Sequence, residues 1–178
     1  MPSIITHAAV PLAIWWAAGP QRVSPRLLAA GIAASVLPDA DVAAFALGIP
    51  YEAALGHRGA SHSVLFATAV AAFAALAAPM LRSRPVPASL FTFICAASHP
   101  LLDALTSGGL GVALLWPWES TRYFAPWRPI RVSPFAGDFF NARGLATLWS
   151  ELRWVWLPLF AAACVYRLIQ RGEKAHDA

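Results

Sequence analysis

Charge is what this sequence has least of. Of 178 residues only 12% are charged, lysine occurs once, at Lys174, and cysteine twice; soluble domains carry about twice that share of charge. So little charge excludes an ordinary soluble domain and an extended disordered segment. Lys+Arg (13) outnumber Asp+Glu (9), but the basic residues are arginines scattered between apolar blocks. A nucleic-acid footprint, which needs a basic stripe on a soluble face, is not expected. Cys95 and Cys164 form no CxxC pair and sit inside apolar runs. That argues against a thiolate zinc site and predicts two buried small hydrophobes. No basic segment precedes the short apolar stretch 8–18 and no small-residue cleavage pattern follows it, so a cleaved signal peptide is not expected.

In place of charge the chain carries 58% hydrophobic residues and a mean hydropathy of +0.57. Those figures predict one membrane-embedded, all-α helical bundle over residues 1–178, with four to five apolar helices. Residues 63–81 form the clearest span, uncharged and close to the roughly 20 residues a bilayer core requires. Residues 88–105 pass the same test apart from His99 and Asp103. Residues 154–170 make a final membrane helix, with Arg153 before it and Arg167, Arg171 and Lys174 as snorkelling ends. Stretches 8–18 and 27–37 are each too short to cross. The second is interrupted by Pro38 and two aspartates and resumes over 42–49. Such a break at membrane depth is tolerated where it is packed in protein or lines a cavity. From 106 to 153 the chain turns Gly-, Pro- and Trp-rich, which predicts an interfacial loop or a lid.

Most histidines and aspartates fall in four groups at the ends of apolar segments: His7; Asp39 and Asp41; His57 and His62; His99 and Asp103. A charged aspartate at the bilayer centre costs about 2.5–3.5 kcal/mol even on lenient scales, and a bound cation is the simplest compensation. His99 and Asp103, four residues apart, share a helix face. Asp39 and Asp41 converge only in a non-helical backbone, which Pro38 favours. Gly59 suggests a loop for His57 and a first helical turn for His62, capped by Ser61. If the spans alternate in direction, all four groups reach one end of the bundle, with Arg22, Arg26, Arg82 and Arg84 at the other. Seven candidate ligands exceed the four of a structural zinc site and suit two divalent ions sharing a carboxylate. Mixed imidazole and carboxylate donors favour zinc, with manganese or iron as alternatives, over calcium.

An N-terminal Thr-His, then Leu-Pro-Asp-Ala-Asp, His-Arg-Gly-Ala-Ser-His-Ser and Ser-His-Pro-Leu-Leu-Asp-Ala-Leu-Thr resemble, in order, the motifs of the YdjM-type family, inner-membrane proteins described as metal-dependent hydrolases. The match covers about residues 1–110. The resemblance implies an inner-membrane location, hydrolase activity and metal ligands at His7, Asp39, Asp41, His57, His62, His99 and Asp103. Zinc-dependent phospholipase C is similar only in ligand type.

The expected function is hydrolysis of a phosphoester in a lipid or lipid-linked substrate by a metal-activated water. Asp39, Asp41 or Asp103 would hold or deprotonate that water. Arg58 would grip a phosphate oxygen or anchor in headgroups. Thr106 and Ser107 would support the site or cap the helix. Arg122, Arg128 and Arg131, interleaved with Tyr123, Phe124 and Trp127, suit an anionic headgroup with an acyl chain, or simply an interfacial belt. Asp138 is a further loop carboxylate that could approach such a site, with no spacing argument behind it. The rival functions are a metal or proton transporter, which needs polar groups through the membrane depth where only a small number, such as Thr68 and Thr92, stand, and a non-catalytic membrane adaptor built on a structural metal. By the positive-inside rule the arginine-rich end is cytoplasmic and the site faces outward.

Overall fold

The computed structural model describes residues 1–134 and 139–176; Asp138 lies outside them. The described residues are helical, with two isolated β-bridges, Thr106 to Ile130 and Val112 to Tyr123. Helix α1 (Ile4–His7) leads through Ala8 into α2 (Ala9–Ala18), which Gly19 stops with φ 80 and an N–H donated to Trp15 O. Helix α3 (Pro25–Val36) starts on Ser24, whose hydroxyl accepts from Leu27 N–H, with Pro25 at the first helical position. It continues through a 3-10 turn, Leu37–Val42, into α4 (Ala43–Ala46). Helices α5 (Val64–Leu76) and α6 (Pro85–Ala104) follow. Helix α7 (Ala142–Glu151) then passes through one π-helical turn, Leu152–Trp156, into α8 (Leu157–His176).

Two expectations about the spans trade places. The uncharged stretch 63–81 supplies only the 13 residues of α5, about 20 Å of helix, because residues 77–82 turn ahead of Ser83. The interrupted stretch does not stop at Pro38. Pro25–Ala46 runs for 22 residues as one apolar rod, about 33 Å. Pro38 removes one N–H, and the 3-10 turn absorbs that loss by tightening instead of ending the rod. Pro85–Ala104 and Ala142–Gly172 are the other two helices long and apolar enough to cross a membrane. The last of these begins inside the segment expected to be loop.

The bundle centre is built from small residues. Helices α3, α5 and α6 meet around Leu27, Ala34, Ala67, Ala88, Phe91, Cys95 and Ala96, which lets backbones approach closely. Gly31 marks the closest approach, since a Cβ there would lie 2.3 Å from Phe91 Cε1. Large apolar side chains such as Phe73, Leu76, Leu90 and Leu168 face outward, as lipid contact requires. Cys95 is buried as expected, whereas Cys164 is exposed. It sits on the outer face of a span of which only 11% is buried within the molecule. A second cluster, Ala9, Leu102, Ile130 and Val155, ties the first helices, the end of α6, the long loop and the last span together. The polar groups lie beside it.

Candidate metal centre

Every residue expected to form the site comes to one place, at the end of the bundle where α1, the 3-10 turn after α3, the 57–62 segment and the end of α6 meet. Asp39, His62, His99 and Asp103 are all buried and offer ligand atoms within 4.8 Å of one another. His62 Nε2 lies 3.0 Å from His99 Nε2, 3.4 Å from Asp103 Oδ2 and 3.9 Å from Asp39 Oδ1, and His99 Nε2 lies 3.4 Å from Asp39 Oδ1. Most of these separations are long for hydrogen bonds. They suit neighbours around one ion, because ligands about 2.0–2.1 Å from a tetrahedral centre stand about 3.3 Å apart.

His7 faces the other oxygens of the same carboxylates, with Nε2 3.8 Å from Asp39 Oδ2 and 3.7 Å from Asp103 Oδ1, and its ring stacks on His99 at 3.7 Å. Both nitrogens of His7, both carboxylate oxygens of Asp39 and Asp103 Oδ1 are buried without a hydrogen-bond partner. Orphans of this kind are rare in folded proteins and expensive. Here they converge, and the donor types are those that bind a divalent cation.

Asp41 is differently placed. Its carboxylate accepts from Arg58 N–H at 3.0 Å and Ser61 Oγ at 2.5 Å, and meets His57 Nδ1 at 2.6 Å and His62 Nδ1 at 3.1 Å. Asp39 and Asp41 therefore face different partners, although the turn that carries them is helical after all. Asp41 holds His62 by Nδ1 and leaves Nε2 toward the centre, while His99 is held in the same manner by Nδ1–H donated to Ser35 O at 2.7 Å. Carboxylates and carbonyls behind metal-binding histidines do this. Burial pushes the His62 pKa down, but its hydrogen bonds to Asp103 and Asp41 outweigh that, and the net direction is up. His57 packs edge-on to His62 and against Tyr51.

Arg58 corrects one expectation. It is fully buried and anchors in no headgroup. Its Nε meets Asp103 Oδ2 at 2.8 Å, while Nη1 and Nη2 donate to Gly108 O at 3.0 Å and Thr106 Oγ1 at 3.2 Å. A Cβ on Gly109, itself at φ +93, would strike Nη1 at 2.5 Å. Arg58 adopts a left-handed φ of 63, a cost of about 1–3 kcal/mol that this cradle offsets. Thr106 fills both of its expected roles, since its hydroxyl also donates to Asp103 O at 2.7 Å. Ser61 is not the cap of α5. That position is Ser63, which accepts from Phe66 N–H, and Ser61 serves Asp41 instead. An apolar cavity of about 420 Å³ opens against Asp41 and Ser61, walled by Leu65, Phe66 and Trp116.

Two more residues complete the surroundings, Glu151, which was not anticipated, and Arg122, which was expected elsewhere. Glu151 is buried and accepts from Ser3 N–H, Ser3 Oγ at 2.6 Å and Thr6 Oγ1 at 2.7 Å, which anchors the segment carrying His7. Arg122, expected to face a headgroup, instead donates to the carbonyls of His57, Tyr51 and Ala53. Arg128 stacks on Phe124. Glu151 was open to the same test that found the other carboxylates, being an isolated acid beside an apolar run. Thr68 and Thr92 donate to Val64 O and Ala88 O of their own helices.

Comparison with known proteins places this arrangement in context. The model of the family described as YdjM inner membrane protein matches residues 1–174. The inner membrane protein YbcI of Escherichia coli (strain K12) is 46% identical over 160 residues, covering 89% of this chain and 92% of that protein. No solved structure matches significantly.

Proposed function

The chain belongs to the YdjM family of inner-membrane proteins, and on that footing we propose that it is a membrane-bound, metal-dependent hydrolase acting on a phosphoester of a lipid or lipid-linked molecule. One observation carries the reading: the orphaned atoms of His7 and Asp39 and the free oxygen of Asp103, Oδ1, converge with His62 Nε2 and His99 Nε2 in a buried place beside an apolar cavity. Asp39, His62, His99 and Asp103 would hold one divalent ion, zinc by donor type. His7, against the outer carboxylate oxygens, would serve a second ion sharing both aspartates. Such ions supply Lewis-acid polarisation of a phosphoryl oxygen and a water acidic enough to attack near neutral pH.

The chain's own residues do the rest. Asp41 and Ser35 O fix the tautomers of His62 and His99 so that both Nε2 lone pairs point inward. Arg58 holds Asp103 in one rotamer and balances part of the negative charge of the paired aspartates. Asp41, the most exposed of the three carboxylates and the one that lines the cavity, would position an attacking water there and not take its proton, because its oxygens already accept from His57, Arg58, Ser61 and His62. The apolar walls of the cavity would receive alkyl substituents of the substrate.

A specific observation also favours a second reading, a non-catalytic adaptor with a structural metal: His7, His62, His99 and Asp103 have no exposure at all, and catalytic sites keep an open position. The two are separated by assaying purified protein against phospholipids and soluble phosphoesters, with and without chelator, alongside elemental analysis. Hydrolysis that chelator abolishes supports the enzyme. Stoichiometric metal with no turnover on any substrate would leave the adaptor.

A further inference from the structure

Two adjoining cavities take no part in the reading above. The first, about 580 Å³, lies between residues 131–134 and α7, and Ser107, Arg131, Arg143 and Thr147 supply its polar wall. Arg143 and Thr147, four residues apart on α7, share a face. The wall's backbone is already satisfied: Arg131 N–H donates to Ser150 Oγ at 3.0 Å and Val132 N–H to Ser107 Oγ at 3.2 Å. The two guanidinium groups are not. Among the described residues neither has a hydrogen-bond or ion-pair partner, and no carboxylate lines the cavity. Two guanidiniums with no partner among the described residues, lining one concavity, have the chemistry to bind a phosphate, which guanidinium holds by paired N–H donors.

The second cavity, about 300 Å³, shares Ser133 and Pro134 with the first and is otherwise largely apolar, walled by Ile4, Ile5, Phe139 and Phe140. Phe140 is 89% exposed and Ile4 and Ile5 more than half, an apolar surface next to a cationic one. A soluble anion would use only the first cavity and an uncharged acyl chain only the second. A ligand with both parts uses both.

We propose that this pair of cavities binds an anionic phospholipid, with the phosphate at Arg131 and Arg143 and an acyl chain along Ile4, Ile5, Phe139 and Phe140. A zwitterionic lipid fits less well, because its quaternary ammonium would be brought toward two arginines. The apolar cavity is walled by the residues of α1 that lead directly to His7, so the bound lipid sits one helical turn from the metal centre. That this lipid is also the substrate rests on the hydrolase reading; its binding does not.

The test uses the full chain in detergent with chelator present, titrated with short-chain phosphatidylglycerol, short-chain phosphatidylcholine and inorganic phosphate. The wild type should prefer phosphatidylglycerol at least tenfold over phosphatidylcholine. Arg131→Ala with Arg143→Ala should abolish the preference without changing the melting temperature, and the Lys pair should restore part of it. Phe140→Ser should weaken lipid binding and leave phosphate binding unchanged. Equal affinity for both lipids, or a preference that survives loss of both arginines, would overturn the proposal. So would inorganic phosphate binding as tightly as the lipid, which would make this a site for free anion. Because metal is absent throughout, failure here is distinct from failure of the hydrolase reading, which a preserved lipid preference without metal-dependent turnover would identify.

Discussion

Asp103 stands between the Arg58 guanidinium and the imidazoles of His7 and His62, so its loss has two separable effects. Asp103→Ala strands a fully buried guanidinium and is expected to destabilise the protein by about 3–5 kcal/mol. His99→Ala leaves no charge unpaired and should cost less, while both variants lose bound metal by elemental analysis. Full metal stoichiometry in a folded His99→Ala variant would remove that residue from the ligand set. His62 yields a prediction in pH. Its pKa in the metal-free protein is raised, so protonated His62, paired with Asp41 and Asp103, adds stability below the ordinary value of about 6.5. That contribution fades as pH rises through the raised value. Metal needs the neutral ring, so affinity should climb over the same interval in which the chelated protein's melting temperature falls. Parallel metal titrations and melts across that range would check both. The seven candidate ligands were legible because a histidine or aspartate beside an apolar run stands out. The roles of Asp41 and Arg58 were not, since hydrogen-bond partners depend on side-chain directions that spacing leaves open.

At the scale of elements, α3 packs closely on α6 at Gly31. Gly31→Ala would place a methyl group within 2.3 Å of a ring carbon of Phe91, overpacking worth about 1–3 kcal/mol. Melting in detergent should show the loss, and Phe91→Leu in the same chain should recover part of it. The N-terminal segment hangs on Glu151. Glu151→Ala strands the Ser3 and Thr6 donors and should lower both melting temperature and metal affinity, with Glu151→Gln, which keeps an acceptor, falling between. A variant with wild-type metal affinity would reduce Glu151 to a purely structural tie. Helix type was readable from apolar runs, but helix length was not. Residues 63–81 read as a full span and turn at Ala77, whereas Leu37–Val42 reads as a break and is crossed by a 3-10 turn. Apolar composition reports where a segment prefers to be, and backbone turns are decided by what packs around them.

For the whole molecule, membrane direction is the open variable. Arg22, Arg26, Arg82, Arg84, Arg167 and Arg171 lie at the end opposite the candidate metal centre, and the positive-inside rule predicts that this end is cytoplasmic. In a Cys-free background, Arg84→Cys should resist an impermeant thiol reagent applied from outside intact cells, and Glu119→Cys, on the exposed loop at the site end, should react. The reverse pattern would place the centre on the cytoplasmic side. Arg58, being buried, would report nothing. Composition and the order of motifs by themselves determined a membrane helical bundle, the family, and a gathering of His and Asp at one end, because charge in an apolar chain is too costly to be placed without a partner. The tertiary structure alone decided which of those groups share one centre, that Asp41 and Arg58 orient others within it, that Glu151 secures the strand of chain before His7, and that Arg131 meets Arg143 across a cavity. Those are facts of distance between residues far apart in sequence, and only packing sets them.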